Sequence, residues 1–122
     1  MDMEKLYDLS KLRETMDGDQ DTTWHVQDFL NTTLDKDITR LYRSFLNEKR
    51  CDTARIANKL KLSLNMYGVH NIKKDLEKVE YLASTTEQFE EIGPLLKNIK
   101  NHLRNVKNQI IQDYKMVITF VD

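Results

Sequence analysis

A chain of 122 residues, 39% hydrophobic and 32% charged, is enough for one small helical domain and too short for two comfortable ones. Its net charge of −1 excludes a global basic field for nucleic acid, and no long like-charge run marks a tail. Three Gly and one Pro argue against a turn-rich β architecture, and the lone Cys51 rules out an intrachain disulfide and leaves a Cys-based metal site unsupported.

The opening Met1-Asp2-Met3-Glu4-Lys5 has no apolar run after a basic start. No apolar run anywhere approaches the roughly 20 residues of a membrane helix. A cytoplasmic protein without a membrane contact is the expectation. Leu6, Leu9, Leu12 and Met16 then recur at three- and four-residue spacing and predict a short first helix. Asp8 or Ser10 can cap its start, and Gly18 can end it in a left-handed turn. Asp19 and Asp21 offer caps for the next element. From about residue 20 to 48, Val26, Phe29, Leu30, Leu34, Ile38, Leu41, Tyr42 and Phe45 keep helical spacing. Thr32 and Thr33 weaken propensity near the middle, so this is one long helix or two with a bend. Asn47-Glu48-Lys49-Arg50 is a polar turn.

A third helix is expected from about residue 52 to Tyr67, with Asp52 or Thr53 helping its start and Gly68 as its stop. Val69, Ile72, Leu76, Val79 and Ala83 carry a fourth. Ser84-Thr85-Thr86-Glu87 matches a capping box and predicts the start of a fifth segment there. Within it Phe89, Ile92, Leu96, Ile99, Leu103, Val106 and Ile110 form a narrow apolar stripe of the bundle or coiled-coil type. The stripe holds register across Gly93-Pro94, which predicts a kink there. Val117 to Val121 are apolar and β-prone, and either cap the bundle or extend from it. Long periodic segments with short connections predict an all-α protein. The arrangement expected is an antiparallel up-and-down four-helix bundle with a short N-terminal helix and a core over about 6–116.

On a wheel of about 100° per residue, the third helix puts Thr53, Ile56, Ala57, Leu60, Ser63, Leu64 and Tyr67 on one side. Asn58 falls nearly opposite. Its outer neighbours are Cys51, Ala54, Arg55, Leu62, Asn65 and Met66, with Lys61 on the flank. Apolar side chains outside a helix and rimmed by charge suit a docking surface. The plainer alternative is that neighbouring helices cover Leu62 and Met66 from the sides.

Ile56 to Gly68 also resembles the phosphoacceptor helix of histidine-containing phosphotransfer (HPt) domains. Their pattern reads roughly Ala-His-x-Leu-Lys-x-Ser, with a Gly ten positions after the His. Ala57, Leu60, Lys61, Ser63 and Gly68 match, and Asn58 stands at the His position. The weaker likeness extends over 6 to about 112, including Leu6 to Glu14, the Gly18-Asp19 turn and Phe29-Leu30. In that family the His accepts a phosphoryl group from a receiver-domain aspartate and passes it on. Imidazole suits this because one ring nitrogen is a neutral nucleophile near pH 7. A carboxamide nitrogen is delocalised and not basic, so Asn58 keeps hydrogen-bonding capacity but not the transfer chemistry. The resemblance implies a non-enzymatic pseudo-HPt protein of a two-component phosphorelay, without cofactor. Its implied partner is the receiver domain of a response regulator or hybrid kinase. Plant HPt-like proteins with the same change act as phosphorelay inhibitors. The implied docking residues are Arg55, Asn58, Lys59, Lys61, Leu62 and Asn65, with Gly68 structural. Lys61 matches the Lys that helps hold the phosphate. Leu62 departs from the small residue that often follows it.

Two alternatives stay open. One is an active HPt parent whose His is replaced by Asn in this chain. The other is a helical adaptor or homodimer using the stripe of residues 89–110; a monomer is the expectation. His25, His70 and His102 lack the family context of a phosphoacceptor. They are far apart and form no metal-ligand pair, so no metal site is expected. Glu90-Glu91 and the stripe of Lys97, Lys100, Arg104 and Lys107 read as solvated faces, with no interleaved aromatic residues for stacking bases. Gly18, Gly68 and Gly93 are isolated and form no phosphate loop. Trp24 is expected to pack against the bundle.

Overall fold

A computed structural model describes residues 5–15, 22–85 and 88–113. Among the described residues every regular element is helical. Helix α1 spans Ser10–Thr15. Helix α2 runs without a break through Thr22–Asp28, a π-helical stretch Phe29–Asp37 and Ile38–Leu46. Helix α3 is Arg50–Met66, α4 is Lys73–Ser84 and α5 is Ile92–Asp113, preceded by a 3-10 turn Phe89–Glu91.

The apolar periodicities drive this arrangement. Phe29, Leu30, Leu34, Ile38 and Leu41 of α2 meet Ile56, Ala57, Leu60 and Leu64 of α3 and Leu76, Val79, Leu82 and Ala83 of α4 in one core. From α5 come Ile92, Leu96, Ile99, Leu103, Val106 and Ile110, none more than 2% exposed. Each such side chain stabilises the fold by about 1.5–3 kcal/mol through removal from water. Helix α3 packs on α2 and, most extensively, on α4, while α5 packs on α4 and α2. The stripe of residues 89–110 is therefore consumed inside the molecule.

The second helix is one continuous element rather than two with a bend. Its middle, which contains Thr32 and Thr33, winds wider than an α-helix. π segments are rare and concentrate at functional places. The C-terminal ends of α2 and α3 close in the same way. At α2, Glu48 has φ 55°; its N–H donates to the Phe45 carbonyl at 3.0 Å, and the Lys49 N–H to that of Ser44 at 2.9 Å. At α3, Gly68 has φ 70°; its N–H donates to the Asn65 carbonyl at 3.2 Å, and the Val69 N–H to that of Leu64 at 2.9 Å. These are Schellman closures, and buried Val69 and Leu64 supply the accompanying apolar contact.

The N-terminal strap explains why Gly68 is needed twice. Asp8 donates its backbone N–H to the Tyr67 carbonyl at 3.0 Å, and a Cβ on Gly68 would collide with the Asp8 N and O. The Asp8 carboxylate accepts from the Ser10 N–H at 2.9 Å and hydroxyl at 2.7 Å, pinning the start of α1. Those two bonds hold the Asp8 carboxyl below its ordinary range. Further back, the Leu6 N–H donates to Gln109 Oε1 at 2.7 Å and Lys5 pairs with Asp113 at 2.8 Å.

Three sequence expectations need correction. The capping box at 84–87 does not begin the fifth helix: α4 continues through Ser84 and Thr85 is extended. Thr86 and Glu87 lie outside the described residues. Gly93-Pro94 is no kink either, because α5 starts at Ile92 and Pro94 falls in its first turn. There the missing N–H has no acceptor to lose, and the fixed φ suits the helix. Trp24 is 60% exposed rather than packed on the core; its ring meets His25 edge-on at 5.1 Å. The Gly18 and Asp19 turn, Asp21, Met16 and Val117 to Val121 lie outside the described residues.

Candidate functional site

Helix α3 sorts its residues by face as its spacing dictates. Thr53, Ile56, Ala57, Leu60 and Leu64 are buried, while Cys51, Arg55, Asn58, Lys59 and Leu62 are exposed. Asn58 thus stands in the middle of the outward side. Leu62, one turn on, is 63% exposed, a large apolar side chain left open to solvent. Met66, Ala54 and Asn65 are half-buried, and the first two pack against the core edge. Neighbouring helices therefore cover Met66 and Ala54 in part and leave Leu62 uncovered.

The cations of this face are less free than the sequence implies. Lys61 is largely covered: its ammonium lies 3.1 Å from Glu80 Oε1 and 3.9 Å from Glu77 Oε2 on α4. No hydrogen bond reaches that Glu80 oxygen, so the two meet as charges. Lys61 thus braces α3 to α4. Arg55 pairs with Asp52 at 2.9 Å, both partly in water. Such exposed pairs contribute about 0–1 kcal/mol and are readily exchanged for an incoming partner.

Lys59 reaches across to a residue the sequence reading missed. Asp37, the last residue of the π stretch, has a side chain only 3% exposed. Lys59 Nζ lies 3.4 Å from its Oδ1, and Arg40 stands 4.0 Å from the same oxygen. Oδ2 has no hydrogen-bond partner. Asp37 falls in the core-facing series of Leu30, Leu34, Ile38 and Leu41, and a carboxylate interrupting such a series is the signal that marks it. Burying it is costly unless it is paired, so Lys59 is tied to α2 by that need. Asp37, Lys59, Leu62 and Met66, with Thr32 and Tyr67, line a groove of about 380 Å³ between the π stretch and the outer side of α3. Tyr67 floors one end, stacked on Phe29 at 3.9 Å and donating its hydroxyl to the His25 carbonyl at 3.0 Å. Burial pushes the Tyr67 hydroxyl pKa up.

His25 lies beside Trp24, His70 is exposed just beyond Gly68, and His102 is half-buried on α5. Among the described residues no group of three or more His, Cys, Asp or Glu side chains is placed to hold a metal ion. No helix among them is long and apolar enough to cross a membrane. Comparison with protein-family models, curated proteins and solved structures gives no match.

Proposed function

We propose that this chain is a pseudo-HPt docking protein of a two-component phosphorelay. In this reading its helices form an antiparallel up-and-down four-helix bundle of the HPt type, and a receiver domain seats on the outer side of α3. The observation that carries it is the placement of Asn58 at the centre of that side, with exposed Leu62 one turn away and Arg55 and Lys59 flanking. Residues 57–68 supply the HPt-like pattern into which this placement fits. Asn58 cannot take a phosphoryl group, so the function is binding without transfer and the protein is not an enzyme.

Leu62 supplies the apolar anchor, and Arg55 and Lys59 the charge that meets an acidic receiver pocket. Lys61 contributes by fixing α3 against α4 rather than as a free cation. A homodimer built on residues 89–110 loses its basis, because that stripe lies in the core.

A titration of the full chain against a panel of receiver domains tests the reading, followed by NMR shifts at moderate salt. Saturable binding to one receiver is expected, with shifts on α3 centred on Asn58. Leu62→Asp should weaken it at least tenfold while leaving the helical spectrum intact. Absence of binding to every receiver by the folded protein removes the proposal. Asn58→His adds a second readout: phosphoryl uptake by that variant separates a competent HPt scaffold that lost its His from one that cannot transfer at all.

A further inference from the structure

The corner where α2 turns into α3 gathers four cationic side chains around one cleft. Arg40 and Arg43 stand three residues apart on the last turns of α2, so they share a face. Lys49 sits in the turn and Arg55 on the first turns of α3. Together they line a cleft of about 210 Å³ in which Asp52 is the one carboxylate. Four cations against one acid, in a chain of net charge −1, is a local inversion of the whole-molecule balance.

Two of the four are uncommitted. Asp52 is taken up by Arg55 at 2.9 Å, and Arg40 approaches Asp37 only to 4.0 Å. Among the described residues no carboxylate pairs with Arg43 or Lys49. The cleft is also built on a stiff floor. The Ser44 and Thr53 hydroxyls, both buried, lie 2.9 Å apart. Ser44 donates to the Leu41 carbonyl at 2.8 Å and Thr53 to that of Lys49 at 2.8 Å. With the Schellman closure at Glu48, these bonds fix the backbone that carries Lys49. Little backbone ordering entropy is then lost when a ligand arrives.

We propose that this corner cleft binds a phosphate-class oxyanion. Several guanidinium forks around one small concavity match a tetrahedral dianion with multiple acceptor oxygens, whereas a single carboxylate satisfies one fork. No aromatic side chain lines the cleft, so a nucleobase has nothing to stack on and nucleic acid is a poor occupant. The oxyanion is either free in solution or carried on a side chain of a partner. The site shares Arg55 with the proposed receiver-docking face, but Asn58, Lys59 and Leu62 do not line it.

The test is an NMR titration of the full chain with inorganic phosphate, at ionic strength held constant with sodium chloride. Saturable shifts confined to residues 43–55 and to the arginine side chains are expected. Arg43→Gln combined with Lys49→Gln should weaken binding at least tenfold, and Lys97→Gln on α5 should leave it unchanged. Arg43→Gln alone, expected to weaken it several-fold, guards against a double variant that does not fold. A phosphoserine peptide and its unphosphorylated twin form the second arm. Tighter binding of the phosphopeptide than of free phosphate assigns the oxyanion to a partner. Equal or weaker binding assigns it to a free ligand. The proposal is overturned if no titrant saturates the site, or if the Lys97 control weakens binding as much as the corner variants.

Discussion

Glu48 stands at φ 55° and Gly68 at φ 70°, each one residue beyond the cap of a helix and each closing it with the same pair of backbone bonds. Only glycine adopts that conformation without a steric penalty, which predicts opposite outcomes at the two positions. Glu48→Gly should stabilise the protein by about 0.5–1 kcal/mol, because its side chain is exposed and nothing is lost but strain. Gly68→Ala should destabilise it by about 2–4 kcal/mol, since the added methyl meets the Asp8 backbone as well as the strained φ. Urea denaturation of the two variants measures both. A neutral Gly68→Ala would mean that the strap at Asp8 is not packed against the end of α3.

At the scale of elements, the link between α2 and α3 is the Asp37–Lys59 pair. Removing Lys59 leaves a nearly buried carboxylate with Arg40 at 4.0 Å as its remaining neighbour. Lys59→Met is expected to cost about 1–2 kcal/mol, kept below the range for fully buried pairs because the lysine is itself half in water. Asp37→Leu in the same background should restore most of that loss, because an apolar residue suits the core-facing register. A double-mutant cycle by chemical denaturation reads the coupling directly; additive losses would mean that the pair contributes nothing. The sequence announced the all-helical elements and the buried face of α3, since both follow from three- and four-residue spacing. It marks Asp37 as a carboxylate within an apolar series but not the pair it forms, because the partner that makes its burial tolerable lies on another helix. The same reason hid the engagement of Lys61 with Glu77 and Glu80, which left the candidate face less basic than its composition. Pro94 misled for a different reason. An unbroken apolar stripe is compatible with a kinked helix and equally with a helix that starts just before the proline after a 3-10 turn.

At the scale of the whole fold, one histidine and two carboxylates among the described residues make stability depend on pH below neutrality in two separate steps. His102 is half-buried on α5, and Nε2 has no hydrogen-bond partner. Burial lowers its pKa below 6.5, opposed in part by the Asp75 carboxylate. The folded state therefore binds this proton less readily than the unfolded chain. Nothing is lost above the unfolded value near 6.5, and stability falls as pH drops below it until the folded form also protonates. The second step belongs to carboxylates at the N-terminal strap. Lys5 and then Tyr7 hydrogen-bond Asp113 and lower its pKa, and Ser10 does the same for Asp8. Their contribution is present above the unfolded value of 3.8 and is lost as pH falls through the lowered folded values. Denaturation midpoints are thus expected to decline first just below neutrality and again in strong acid. His102→Leu should remove the first decline and leave the second, whereas Asp113→Asn should reduce only the second. An NMR titration of the His102 ring gives an independent reading, expected below 6.5. A His102 that titrates at or above the ordinary value would assign the near-neutral decline, if present, to a group outside the helical core.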